Sequence, residues 1–128
     1  MSSTLDVAVS GLQAATVRLS VAAANIVNAR SSAPVEPDGK VPEGVYRPQR
    51  VALRSRAEGG VTAERRPVEP ATITERDARS PTGFSAVPNV DFGREMVELR
   101  IAAQSFKASV EAIRAQMRLD DALLDIKV

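Results

Sequence analysis

Apolar residues recur every seven positions at both ends of this chain, and the stretch between the ends is broken by proline and glycine. Near the N-terminus Leu5, Leu12, Leu19 and Ile26 form one row, with Val9, Thr16 and Ala23 between them. Near the C-terminus Met96, Ala103, Val110, Met117 and Leu124 form a second row, and Phe92, Leu99, Phe106 and Ile113 a third. Apolar residues at such spacing make a narrow seam that packs against another helix. The pattern predicts a mainly α chain with a small β part. Two long terminal helices pair as a coiled-coil-like hairpin around a Pro/Gly-rich middle. The expected divisions are an N-terminal helix over 1–30, a β-rich middle with linkers over 31–87, and a C-terminal helix over 88–128.

Local signals refine these limits. Ser3-Thr4-Leu5-Asp6 fits a helix start with Ser3 as N-cap, and Asn25 and Asn28 mark the end of that helix. Gly11 lies inside it, where glycine costs about 1 kcal/mol against alanine, so a close contact is expected there. All 8 prolines fall between Pro34 and Pro88. Ser31 to Glu43 reads as loop. Val45 to Ser55 alternates as a strand, with Pro48 marking an edge. Ala57-Glu58-Gly59-Gly60 is a turn, and Val61 to Val68 returns as the second strand of a hairpin. Ala71 to Thr74 is a short strand at most, and Asp77 to Val87 reads as linker. Asn89 or Asp91 caps the second helix, which runs to the end for about 50 Å. Asp120, Asp121 and Asp125 lie at its negative end, where carboxylates are unfavourable. The last two turns are expected to fray unless a partner covers Leu123, Leu124 and Ile126.

Composition narrows the chemistry. The chain has 128 residues, few aromatics and no tryptophan, so a large globular core is not expected. The absence of cysteine excludes disulfides and thiol chemistry, and the absence of histidine removes the commonest general base and metal ligand. No catalytic residues, metal ligands or cofactors are therefore expected. The three terminal aspartates could touch a hard cation, but a solvated acidic helix end is the simpler account. Net charge is only +1. Arg47, Arg50, Arg54, Arg56, Arg65 and Arg66 make the hairpin basic, yet Glu58, Glu64 and Glu69 interleave them and aromatic stacking partners are nearly absent. A solvated or protein-docking face is expected rather than a nucleic-acid patch. No basic segment precedes an apolar core at the N-terminus, so a cleaved signal peptide is not expected. Nor does any run approach the roughly 20 apolar residues of a membrane span, and no membrane insertion is expected.

Two segments resemble a known family. Ala24-Asn25-Ile26-Val27-Asn28-Ala29 resembles the motif that ends the first helix of flagellar axial proteins. Pro88-Asn89-Val90-Asp91, Glu95-Met96-Val97 and Ser105-Phe106-Lys107-Ala108-Ser109-Val110 resemble their C-terminal helix. Pro88, Asn89 and Val90, with Tyr46-Arg47 opening the middle, point to flagellar basal-body rod proteins of the proximal-rod FlgC type. Phe106 and Ser109 stand where that family has Tyr and Asn. The resemblance implies a structural, non-enzymatic subunit of the basal-body rod. It implies export through the flagellar type III apparatus without a cleaved signal, and polymerisation in the periplasm with copies of itself and other rod proteins. The residues expected to carry that assembly are Leu5, Leu12, Leu19, Ile26, Leu99, Phe106, Val110, Ile113 and Met117. A small helical adaptor or export chaperone binding one partner is the alternative.

Overall fold

The computed structural model describes residues 4–126, and the expected cap Ser3 lies outside them. Two helices frame the chain, α1 (Thr4–Asn28) and α2 (Phe92–Ile126), of 25 and 35 residues. Between them come β1 (Ala33–Pro34), β2 (Gln49–Ser55), β3 (Val61–Pro67), β4 (Thr72–Arg76) and β5 (Phe84–Pro88). The fold is mainly α with a small β part, as expected. Asp91 is the cap of α2: its carboxylate accepts the Arg94 N–H at 3.1 Å and its carbonyl the Glu95 N–H at 3.0 Å. Asn89 has another task. Its side chain donates to the Pro70 carbonyl at 2.9 Å, and its backbone N–H to Ala71, which fastens the start of β4 to the approach to α2.

The helices lie against each other and run antiparallel. Gly11 faces Ser109, and Arg18 forms an ion pair with Glu98. Gly11 answers to the close contact expected of it: a Cβ there would stand 3.0 Å from the Ser109 hydroxyl. With 1.5 Å of rise per residue in both helices, Thr4 comes level with about residue 116 of α2. The last ten or so residues of α2 therefore overhang, and Met117 to Ile126 are exposed throughout. A helix end with no packed neighbour has only local hydrogen bonds to hold it. In the monomer, amides from Met117 to Ile126 should exchange within seconds, while those from Glu98 to Ser109 are slowed many-fold. Equal protection along α2 would show that the overhang is stable alone.

β2 and β3 form the expected hairpin, in register from Gln49 opposite Pro67 to Ser55 opposite Val61. Its first strand begins at Gln49 and not Val45, because Pro48 lacks an N–H; only the Pro48 carbonyl joins the ladder, accepting from Val68. The hairpin lies on α1. The second sheet corrects the sequence reading. β1, β5 and β4 pair antiparallel in that order, with Ala86 of β5 between Ala33 and Thr74. The segment read as a linker thus contains the central strand of a sheet, and the segment read as loop supplies its edge. Ala86 is fully buried. A short strand paired on both sides has no polar face, so it lacks the alternation by which strands are recognised.

α1 also corrects the expectation that no run could span a membrane. An 18-residue window of it reaches a mean hydropathy of 1.4, and only 28% of that window is buried. No charged residue separates Asp6 from Arg18, and Val7, Val9, Leu12 and Val17 stand among small residues there, which keeps the helix apolar and nearly uncharged. By length and composition alone it meets the requirement of a span. In the fold its polar side chains are committed to protein: Ser10 and Asn25 to the hairpin, Arg18 to α2.

Candidate assembly interface

The buried face of the helix pair is built from small residues. On α1 it comprises Ser10, Ala14, Ala15, Val21, Ala22 and Asn25; on α2 only Glu95 and Ala102 are buried, both in the turns beside α1. Ala102 has no exposed surface. Small side chains bring the backbones together, and Gly11 opposite Ser109 marks the same closeness further along.

The heptad rows of larger residues occupy other faces. Leu5, Leu19, Phe106 and Met117 are exposed, while Leu12, Ile26, Leu99, Val110 and Ile113 are half-buried. None of the nine is buried. The rows therefore do not supply the monomer's core, which lies one helical face away. Phe92, Met96, Val97, Ile101, Leu119, Leu123, Leu124 and Ile126 extend the exposed apolar surface along α2. Apolar surface exposed to this extent on a folded chain points to a site of interaction.

Polar residues fix the middle segment to this pair. Asn25 has no exposed surface. Its amide donates to the Gln49 carbonyl at 2.7 Å, and its Oδ1 accepts from the Gln49 N–H at 3.2 Å and the Tyr46 hydroxyl at 2.9 Å. A carboxamide has the same donor and acceptor as a peptide group, so Asn25 pairs with the free edge of β2 as another strand would. Glu95 lies beside it, 8% exposed. Burial raises the Glu95 pKa and hydrogen bonding from Asn25 opposes the rise; the nearby Glu98 adds to it, and Arg94 and Arg50 oppose it. Burial, then Glu95, raises the Tyr46 pKa as well, keeping the phenol a donor. Asn28, the other asparagine of the same motif, only donates to Ala24 of its own helix at 2.8 Å.

The sign of the Glu95 effect follows from linkage. A carboxyl whose pKa is higher folded than unfolded burdens the folded state above that raised pKa, and the burden disappears as pH falls through it. Glu95→Gln should therefore melt at or above the wild-type temperature near pH 7, with the difference shrinking toward acid. A variant less stable at neutral pH and equal in acid would show that the charged form is favoured by its neighbours.

Ser10 fixes the other end of the hairpin. Its hydroxyl donates to Val7 at 2.7 Å and accepts from the Val61 N–H at 3.1 Å. Gly60, with φ +86°, leaves no room for a Cβ beside Ser10. Gly60→Ala should cost about 1–2 kcal/mol from the left-handed backbone alone, with the clash added. Urea denaturation would register the loss; an unchanged midpoint would mean that the turn rearranges freely.

The hairpin arginines are largely engaged within the chain. Arg54 and Arg66 share Glu64, Arg56 bonds Thr62, and Arg65 reaches Ser20 of α1. Among the described residues this leaves no continuous track of free cations of the kind that follows a phosphate backbone. Among the described residues no cluster of acidic side chains could hold a metal ion. Asp120, Asp121 and Asp125 are exposed on the overhang, and Asp120 accepts from Gln116. Pro88 is buried at the end of β5, and Asn89 and Val90 form the turn from sheet to helix. The inward positions of Ser10 and Tyr46 had no periodic signal in the sequence, although Tyr46 stands in a motif recognised there.

The helix pair thus has an interior of small residues and leaves much apolar surface exposed along both helices. The chain is 33% identical over 120 residues to the flagellar basal-body rod protein FlgC of Escherichia coli O6:H1, and equally to that of Escherichia coli O157:H7. Each alignment covers 84% of this chain and 84% of the relative. No family model matches the chain. The chain belongs to the family of flagellar basal-body rod proteins.

Proposed function

We propose that this chain is a structural subunit of the bacterial flagellar basal-body rod, of the proximal-rod FlgC type, and that it performs no catalysis. Its terminal helices, 1–30 and 88–128, would form the axial core around the export channel, with 31–87 outside them. The subunit passes through the flagellar type III export apparatus uncleaved and polymerises in the periplasm with copies of itself and other rod proteins. The rod so built transmits torque. Nucleic acid and membrane insertion have no part in this reading.

The observation that carries it is the apolar surface left exposed on both helices, with Leu5, Val7 and Leu19 on α1 and Met96, Phe106 and Met117 on α2. A coiled-coil seam needs a facing helix, and neighbouring subunits would provide it. The similarity to FlgC supplies the biological setting. Deletion of the gene should abolish swimming, and a tagged chain that restores swimming should be recovered in purified basal bodies. A tagged chain found only in a soluble 1:1 complex with one protein would favour an adaptor or export chaperone instead.

A further inference from the structure

The three-stranded sheet ends in a strand, β4, that pairs with β5 alone among the described strands. Hydrogen bonds at both ends of this pair fix which backbone groups are used. The Asn89 N–H donates to the Ala71 carbonyl at 2.9 Å, and the Asp77 N–H to the Gly83 carbonyl at 3.0 Å. Bonded and non-bonded positions alternate in an antiparallel pair, so Ile73 and Glu75 also bond across to β5. Thr72, Thr74 and Arg76 therefore turn their N–H and C=O groups to the outer edge. Edge strands are commonly blunted by proline, lysine, a bulge or extreme shortness. β1, on the other side of the sheet, has two residues and ends in Pro34. β4 has five residues, no proline or lysine, and no bulge against β5. Its start is fastened by Asn89 to Pro70 and Ala71, so the edge is held in place before anything binds.

The side chains of this edge carry a pattern. Ile73 and Glu75 line a groove on the sheet together with Val87 and Ser85, to which they are paired. Ile73, Thr74, Glu75 and Arg76 are all exposed. Glu75 and Arg76 form no ion pair with a described residue. Asp77 does not neutralise Arg76, because it is already held. It accepts from the Ser85 hydroxyl at 3.0 Å and the Arg79 N–H at 2.9 Å, and pairs with the Arg79 guanidinium. A strand laid beside β4 would meet a cation, then an anion and, two places further, an apolar side chain. Opposite charges directly across a strand pair attract, and like charges there are destabilising.

We propose that the outer edge of β4 receives an extended segment of another protein, added antiparallel as a further strand. Its backbone bonds to Thr72, Thr74 and Arg76. A carboxylate stands opposite Arg76, a cation opposite Glu75 and an apolar side chain opposite Ile73. Read from its N-terminus, the segment is acidic, basic, any residue, then apolar. A second copy of this chain fits the edge less well. Pairing β4 with itself about Thr74 sets Glu75 against Ile73 and leaves Arg76 opposite Thr72. The site lies on the sheet and does not depend on the role proposed for the apolar rows of the helices.

The probe is a blocked peptide with the core Asp-Lys-Thr-Val-Thr, and its control, Lys-Asp-Thr-Val-Thr, exchanges the two charges. Hydrogen exchange of the purified full chain, followed by NMR with either peptide at millimolar concentration, reads the contact residue by residue. The first peptide should slow exchange at the Thr74 and Arg76 amides several-fold or more. The Ile73 and Glu75 amides, already bonded to β5, should be unchanged. The control should bind roughly tenfold more weakly, because like charges then meet at two positions. Glu75→Arg combined with Arg76→Glu, both at exposed positions, should reverse the preference between the peptides. No protection with the first peptide, equal protection with both, or a preference that the double variant fails to reverse would overturn the proposal. So would protection of Thr74 and Arg76 that grows with chain concentration in the absence of peptide, since a second copy would then cover the edge. Any of these results would leave the rod assignment intact, because that assignment rests on the helices.

Discussion

Phe106→Asp and Met117→Asp are expected to stop rod assembly while leaving the monomer folded. Both side chains are exposed in the single chain, at 40% and 58%. An aspartate at 117 loses little packing, one at 106 gives up about 1–2 kcal/mol of partial ring burial, and the weaker helix propensity costs at most about 0.7 kcal/mol in each. In a polymer whose seams cover these rows, the same aspartate is an unpaired charge taken out of water. That costs several kcal/mol at each contact, and the contact recurs in every subunit. Thermal unfolding of the purified chain and swimming of cells carrying the variant measure the two effects separately. Appearance of the variant outside the cytoplasm would show that export is intact. Normal swimming with either substitution would mean that these rows face solvent in the rod. A monomer destabilised by about 3 kcal/mol or more would mean that the rows pack within the chain after all. Arg54→Ala, by contrast, removes an exposed pair with Glu64 worth about 0–1 kcal/mol and should be tolerated in both assays.

The two terminal helices were legible in the sequence because long periodic segments carry a strong signal. Their inner faces were not. A heptad reading follows the largest apolar side chains, and here none of those is fully buried. Gly11 showed through its cost in a helix interior, but Ala14, Ala22, Ala102 and Ser109 are too small to stand out in such a pattern. Small size is nevertheless what lets two backbones approach closely. The hairpin announced itself through Gly59-Gly60 and two strands of equal length. β5 did not, since Phe84-Ser85-Ala86-Val87-Pro88 is short, ends in proline and has no alternating polar face. Of the motif residues, Pro88, Asn89 and Val90 turn out to join sheet to helix. Ser10 and Glu95 are buried polar residues, and their partners come from segments far away in sequence, so no local pattern could have paired them.

Asn25 and Asn28 look equivalent in the sequence, but the fold separates them sharply. Asn25→Leu, close in volume, should destabilise the monomer by about 2–4 kcal/mol. The change strips the Gln49 N–H and C=O and the Tyr46 hydroxyl of their partner in a half-buried place, where water offsets part of the roughly 1–3 kcal/mol that each fully buried orphaned group would cost. The leucine also faces Glu95, whose carboxylate then loses the hydrogen bonding that opposes its desolvation. Asn28→Leu loses one bond to a carbonyl of its own helix, which is already part of the helical ladder, and should cost less than about 1 kcal/mol. Urea denaturation of the two variants side by side measures the contrast, and faster hydrogen exchange at Gln49 would localise it. Equal losses would indicate that Asn25 acts as a helix terminator like its neighbour. A loss confined to Asn25 identifies it as the peg that holds the middle segment against the helices, and so fixes where β2 and β3 stand relative to the apolar rows.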